Sequence, residues 1–234
     1  MSRLDSFQKG IQDGIPIGLG YFAVSFAFGM MAVSGGLHVM EAVMISLTNL
    51  TSAGQFAGLD IIINRGTLFE MALTQLIINL RYLLMSFSMS QKLRRDEPFF
   101  YRYIVAFGIT DEIFGVSAAQ PGKVSAFYSF GAMLMAIPGW TLGTLAGAIS
   151  GNLLPDFVLS ALSVAIYGMF LAVIIPPARH NRHVFLAVLA SMALSTLFAF
   201  IPGLKSVSSG FTIIIITILV SGIAAWLAPV QVEE

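Results

Sequence analysis

The chain has 234 residues, of which 57% are hydrophobic and 10% charged, whereas a soluble domain carries about a quarter charged residues. Twelve lysines and arginines balance twelve aspartates and glutamates, which excludes the basic surface expected of a nucleic-acid-binding protein. The chain has no cysteine, and its three histidines do not have a metal-binding spacing, which excludes disulfides and the common metal motifs.

Eight apolar segments divide the chain, at about 15–35, 38–63, 67–90, 103–119, 124–149, 156–177, 183–201 and 207–228. Most of them are long enough to cross a bilayer as a helix. We therefore predict an all-α, polytopic integral membrane bundle with seven to eight transmembrane segments, forming a single transmembrane domain over residues 1–234. The opening stretch lacks the early apolar core of a cleavable signal peptide, so we expect the first segment itself to direct insertion.

Small and polar residues mark the first two segments. The first contains Gly14, Pro16 and Gly18, which permit either close helix packing or a helix break. The second is interrupted after Leu50 by the polar run 51–55, Thr-Ser-Ala-Gly-Gln. Such hydroxyls can simply bond back to helical carbonyls, but a dense polar cluster between apolar halves favours a locally unwound helix beside a cavity. We predict an interrupted second helix that borders the same cavity as Asn79.

The third segment carries Arg81 near its middle. An arginine at the centre of a lipid-facing helix costs roughly 2.5–3.5 kcal/mol on the insertion scale. We therefore expect Arg81 to be buried beside an acid or a water-filled cavity, with a purely structural ion pair as the alternative. Polar residues occupy two faces of this helix: Gln75, Asn79, Tyr82 and Ser86 on one, and Glu70, Thr74, Arg81 and Ser88 on the other. This pattern predicts a helix enclosed by protein on both sides.

The fourth segment contains two adjacent acids, Asp111 and Glu112. Adjacent residues of a helix point about 100° apart, so one acid can pair with Arg81 while the other faces elsewhere. The alternative places both acids at a membrane surface, near the start of the helix.

The charged loop 92–102 conflicts with a simple topology. Eight full crossings would place it opposite both termini, against the positive-inside rule. The conflict disappears if the second or the fourth segment does not fully cross.

The two halves of the chain, 15–119 and 124–228, resemble each other weakly. A shift of 114 residues aligns Gly29 with Gly143, which suggests a structural repeat. The same shift places Arg81 on Ser195, so polar residues are not repeated and the first half is predicted to carry the chemistry.

Four short motifs in order carry a family resemblance: Gly-x-Pro at 14–16, a small-residue stretch ending in Gln-Phe at 55–56, Asn-Leu-Arg-Tyr at 79–82 and Thr-Asp-Glu at 110–112. Together they resemble the AzlC-type branched-chain amino acid permease family over roughly residues 5 to 200. Two positions depart from the family pattern: Tyr82 stands where a histidine is expected, and Gly54 directly precedes Gln55.

The resemblance implies a multi-pass protein of the bacterial cytoplasmic membrane that exports branched-chain and related apolar amino acids together with a small AzlD-like membrane subunit. The residues predicted to bind substrate are Ser52, Gly54, Gln55, Asn79 and Arg81, and those predicted to couple transport to a gradient are Asp111 and Glu112. Neither a metal nor a cofactor is predicted.

The residues themselves agree with a carrier. The chain has no phosphate-loop signature, so uphill transport needs a gradient or a separate motor subunit. An acid that moves between a low-dielectric site and a guanidinium changes its proton affinity, which makes Asp111 and Glu112 candidates for proton coupling. A channel or a scaffold subunit without carrier activity is the alternative. An enzyme is disfavoured because the sequence lacks a nucleophile or metal constellation.

Overall fold

The computed structural model describes residues 2–150, 171, 174–175, 178–179 and 181–227. Nine helices are delimited within these residues: α1 (Arg3–Ser34), α2 (Val39–Thr48), α3 (Ala53–Ile63), α4 (Leu68–Lys92), α5 (Tyr101–Phe107), α6 (Asp111–Ala118), α7 (Ala126–Ser150), α8 (Arg182–Phe200) and α9 (Ser209–Leu227). Five of them, α1, α4, α7, α8 and α9, are long and apolar enough to cross a membrane. The helical membrane class is therefore confirmed, whereas the predicted sixth segment, 156–177, lies mostly outside the described residues.

The contacts within the chain divide it into two compact units. Unit 1 comprises Met1–Gln55 and Asn79–Ala165, and unit 2 comprises Phe56–Ile78 and Ile166–Glu234. These bounds do not coincide with the predicted repeat halves 15–119 and 124–228, and the repeat stays a prediction.

Unit 1 is built on α1 and α7, which pack side by side and run parallel. A Cβ atom at Gly10, near the start of α1, would collide with the backbone of Tyr128 near the start of α7. At the other end of the pair, a Cβ at Gly147 would collide with the backbone of Phe26. Between them, the same close approach occurs at Gly14, Gly18, Gly131, Gly139 and Gly143. Of the two interpretations of the first segment, close packing therefore applies, and α1 continues without a break past Pro16.

The second segment is interrupted, as predicted. Helix α2 ends at Thr48, and Asn49 leaves the helix in an extended conformation. Ser52 has a left-handed backbone with φ 48°, and α3 starts at the next residue. Because a non-glycine residue rarely adopts this conformation, the break is a defined bend of the chain.

The fourth segment is also interrupted, and it doubles back. Helices α5 and α6, of 7 and 8 residues, are separated by the stretch 108–110. Each is only about 10–12 Å long, against about 30 Å for the hydrocarbon core. The two ends of the segment meet: Arg94 N donates to Val124 O at 2.9 Å, and Val124 N donates to Lys92 O at 3.0 Å. The structure agrees with the alternative in which the fourth segment does not fully cross.

The charged loop 92–102 lies at the same end of unit 1 as the start of α1. Ser6 and Arg94 line one cavity of about 280 Å³, together with Lys123. Eight full crossings would have placed the loop opposite the start of α1, so that topology is wrong. Arg94 and Lys123 therefore lie at the same end of unit 1 as the start of α1.

Unit 2 contains α3 from Phe56 onward, the start of α4, and α8 and α9. Helix α9 buries Gly210, Ile214 and Ile216, whereas α8 has no buried residue. Within this unit Glu70 and Thr74, on the first turns of α4, are buried together.

Candidate functional site

The two helix breaks of unit 1 are linked by an aromatic pair, Tyr21 of α1 and Trp140 of α7. Their ring centroids lie 5.3 Å apart in an edge-to-face arrangement. Trp140 Nε1 donates to Oε1 of Gln55, at the start of α3, at 3.0 Å. The Tyr21 hydroxyl lies 2.6 Å from Thr110 Oγ1 and donates to the Glu112 carboxylate, both at the start of α6. The α1–α7 pair thus holds the starts of both second half-helices.

Gln55 has hydrogen bonds at both ends of its amide. Its Nε2 donates to Ser46 Oγ at 2.5 Å, and Ser46 Oγ lies 2.6 Å from Thr144 Oγ1. The Thr144 hydroxyl is in turn 3.1 Å from the Trp140 carbonyl. Because a buried polar group without a partner is expensive, this closed network explains why Gln55 is tolerated at 2% exposure.

A cavity of about 420 Å³ lies beside the break between α2 and α3. Its lining comes from the break, from α4 and from α5 with the residues after it: Thr48, Asn49, Leu50, Thr51, Asn79, Tyr82, Leu83, Ser86, Ala106, Phe107 and Ile109. No lining residue is charged. The break and Asn79 border one cavity, as predicted, and Asn79, Tyr82 and Ser86 share the helical face that the sequence indicated.

Asn49 shapes the chain at this cavity. Its Oδ1 accepts hydrogen bonds from Thr51 N at 3.0 Å and from Thr51 Oγ1 at 2.6 Å. This local pattern is an Asx turn, in which the side chain replaces the helical bond that the break removes. The sequence analysis did not select Asn49, although an asparagine directly before a polar run is a signal for such a turn.

The predicted ion pair is present beside the cavity. Arg81 Nη2 lies 2.9 Å from Asp111 Oδ2, and the guanidinium also lies over the Tyr82 ring, 5.3 Å from its centroid. Glu112 takes a different partner, Tyr21. The expectation that the two acids face different groups is therefore confirmed. They lie in the first turn of α6, where the doubled-back segment turns between its two half-helices.

The predicted burial of Arg81 is wrong. The side chains of Arg81 and Asp111 are 43% and 39% exposed in this chain. The enclosure of α4 is wrong as well, because its apolar residues Leu80, Leu84 and Phe87 are exposed. The insertion cost requires that the charge of Arg81 be neutralised, and Asp111 does this without a protein shell around the pair.

Only one of the five residues predicted to bind substrate lines the cavity. Asn79 lines it, whereas Ser52, Gly54, Gln55 and Arg81 do not. Ser52 and Gly54 lie in the break, Gln55 packs inside the bundle and Arg81 pairs with Asp111. Contact between any of these residues and a substrate remains a prediction. Among the described residues, no group of three or more histidines or acids could hold a metal ion.

Comparison with known proteins gives a consistent result. Residues 16–154, more than half of the chain, match the family described as AzlC protein. The chain is similar to an uncharacterized membrane protein of Archaeoglobus fulgidus, at 33% identity over 190 residues that cover 80% of this chain and 83% of the relative. It is also similar to the inner membrane protein YgaZ of Escherichia coli, at 27% identity over 203 residues that cover 83% of each chain. No solved structure matches it significantly.

Proposed function

Because the chain belongs to the AzlC family, we propose that it is a secondary transporter that exports branched-chain or related apolar amino acids through the cavity of unit 1. The family relationship indicates a transport-related membrane protein. The observation that supports a carrier is an uncharged polar and apolar cavity at the break of an interrupted helix. Interrupted helices of this kind form the substrate sites of many secondary transporters.

The lining offers what an apolar amino acid needs. Asn49, Asn79 and the hydroxyl groups of the lining are suited to its ammonium and carboxylate groups. The positive end of the α3 dipole begins at Ala53, two residues after the lining residue Thr51, and favours a carboxylate there. Leu50, Leu83 and Phe107 are suited to the aliphatic side chain.

In this proposal Gln55 and Arg81 act beside the cavity. Gln55 holds the start of α3 through Trp140, and Arg81 holds the start of α6 through Asp111. The exposed apolar residues of α4, among them Leu80, Leu84 and Phe87, are covered by lipid or by a small AzlD-like subunit.

A cavity-filling substitution tests the proposal. Ser86 lines the cavity, whereas Ser88, two residues further along α4, is exposed and outside it. We expect Ser86→Phe to reduce leucine counterflow in proteoliposomes at least tenfold and Ser88→Phe to leave it within twofold of the parent. The vesicles contain the chain with its small subunit, because the proposal includes that partner.

The same vesicles distinguish the alternatives. Saturable exchange identifies a carrier, unsaturable flux without exchange identifies a channel, and no flux in the parent identifies a scaffold subunit. Equal counterflow in Ser86→Phe and the parent would show that the substrate passes elsewhere.

Proton coupling through Asp111 or Glu112 is tested by imposing a pH gradient on these vesicles. We expect either Asp111→Asn or Glu112→Gln to retain leucine exchange and to lose the response of efflux to the gradient. If both variants respond as the parent does, these acids have structural roles.

A further inference from the structure

Unit 2 contains a buried carboxylate that the proposed transport site does not use. Glu70, in the first turn of α4, is 4% exposed, and it is the one charged residue that is buried within the described ranges. By contrast, Arg81 and Asp111 remain substantially exposed.

Three residues enclose the carboxylate. The Ser208 hydroxyl donates to Glu70 Oε1. Gly210, in the first turn of α9, lies so close that a Cβ added to it would be 2.6 Å from Oε1. A Cβ at Gly66 would be 2.9 Å from Oε2. The glycines therefore let the backbone approach both oxygens of the carboxylate, where any side chain would displace it.

A second oxygen atom faces the same place without a partner. Thr74 lies one helical turn after Glu70 and is fully buried. Its Oγ1 has no hydrogen-bond partner among the residues that the structure describes. The same added Cβ at Gly210 would be 2.9 Å from Thr74 Oγ1, so the hydroxyl and the carboxylate approach Gly210 from the same side.

Among the described residues, no ion pair balances the negative charge of Glu70. The charged residues on the neighbouring segments are Asp60, which accepts a hydrogen bond from Ser209, and Arg65 and Lys205 in the adjoining turns. Helix α9 itself has no charged residue in the range Ser209–Leu227. A buried carboxylate without a counter-charge is strongly unfavourable unless it is neutralised.

We propose that Glu70 and Thr74 bind a small monovalent cation, a proton or Na⁺, in unit 2. Carboxylate and hydroxyl oxygens are hard ligands that suit either ion. The bound cation neutralises Glu70, and its site uses the otherwise unpartnered Oγ1 of Thr74. This site is distinct from the cavity of unit 1 and does not depend on the transport activity proposed above.

The test measures cation binding without a substrate. The thermal unfolding midpoint of the purified full chain in detergent is recorded against NaCl, with choline chloride holding the ionic strength constant, and separately against pH without Na⁺. Because a ligand of the folded state raises stability with its concentration, the parent midpoint should rise with NaCl if the ion is Na⁺. It should rise as the pH falls if the ion is a proton, with an infrared band of a protonated carboxyl that Glu70→Gln removes.

Matched variants assign the response to this site. We expect Glu70→Gln to abolish the rise of the unfolding midpoint with cation concentration. Thr74→Val replaces only the hydroxyl, and we expect it to weaken the apparent cation affinity at least tenfold. Glu41→Gln is the control, because Glu41 is an exposed acid that caps another helix, accepting from His38 N at 2.7 Å.

The proposal is overturned if the parent midpoint responds to neither cation, or if Glu70→Gln responds as the parent does. If Glu70→Gln does not fold, Thr74→Val decides, and a parent-like response in that variant overturns the site. Leucine counterflow plays no part in these readouts, so a failure of the transport proposal is distinguishable from a failure here.

Discussion

The α1–α7 pair and the two interrupted helices of unit 1 use different residues for different structural tasks, close backbone packing in the first and capping of open helix ends in the second. In α1 and α7, glycines such as Gly18 and Gly139 allow two backbones to touch over the whole length of the pair. In the interrupted helices, Asn49 and Thr110 satisfy backbone groups that the missing helical turn leaves open. The comparison teaches that small residues mark the scaffold of this protein, whereas short polar residues mark its site.

Aromatic side chains of the scaffold pair join the two regions. Tyr21 and Trp140, both on the scaffold pair, contact Glu112 and Gln55, one at each second half-helix. The scaffold therefore sets the position of the breaks through these contacts. We therefore expect the change in stability to be largest for a substitution within the scaffold pair. It should be smaller where Tyr21 and Trp140 contact the half-helices, and smallest in a break.

The largest effect is expected within the scaffold pair. In Gly147→Leu the new side chain meets the Phe26 backbone, which cannot rotate away. The loss of stability should therefore exceed the range of about 1–3 kcal/mol that is typical of overpacking. Gly20→Leu is the control, because a Cβ at Gly20 meets nothing within 4 Å. Monodisperse yield in detergent measures both, and equal yields would contradict glycine packing as the basis of the pair.

An intermediate effect is expected at the junction. Trp140→Phe removes the donor to Gln55 Oε1 and leaves a buried acceptor unpaired, which costs about 1–3 kcal/mol. Trp226→Phe is the control, because Trp226 is 82% exposed. Unfolding midpoints of the two variants measure the difference. If they lose the same stability, the Trp140–Gln55 bond does not hold the break.

The smallest effect is expected in the break itself. Ser52 has φ 48°, a conformation that costs a residue with a Cβ about 1–2 kcal/mol and glycine little. Ser52→Gly should therefore stabilise the protein slightly, by up to about 1 kcal/mol after the entropy of glycine is included. Ser88→Gly, inside α4, should have the opposite sign because glycine is unfavourable in a helix interior. Two shifts of the same sign would show that the bend at Ser52 is not strained.

The sequence predicted well what depends on local chemistry. The run from Thr51 to Gln55 predicted the second-helix break, and the cost of a charge in lipid predicted the pairing of Arg81 with Asp111. Incomplete crossing of the fourth segment was one of two possibilities that the charged loop left open. The position of its break was not predicted, because Gly108 and Thr110 interrupt the segment only briefly. Burial of Arg81 was wrong because polar residues on two faces of a helix do not specify how much protein surrounds it.

The buried network and the cation site depend on distant parts of the chain. Gln55 meets Trp140, which is 85 residues away, and Glu70 meets Ser208, which is 138 residues away. Periodicity along a single segment contains no information on such pairs. Only the folded arrangement identifies Glu70, and not Asp111, as the acid that needs a counter-ion.

The doubled-back course of α5 and α6 has a consequence for membrane insertion, because transfer of the two acids across the bilayer is unfavourable. Asp111 and Glu112 lie in a segment whose two ends are tied together by the backbone bonds of Arg94 and Val124. If the end of unit 1 that carries Arg94 and Lys123 faces the ribosome, as the positive-inside rule favours, these acids need not cross the whole bilayer. Since Val124 lies just before α7, the segment can be tied only when the chain has been synthesised as far as the start of α7. We therefore expect the contacts of Asp111 with Arg81 and of Glu112 with Tyr21 to form late, when α7 packs against α1.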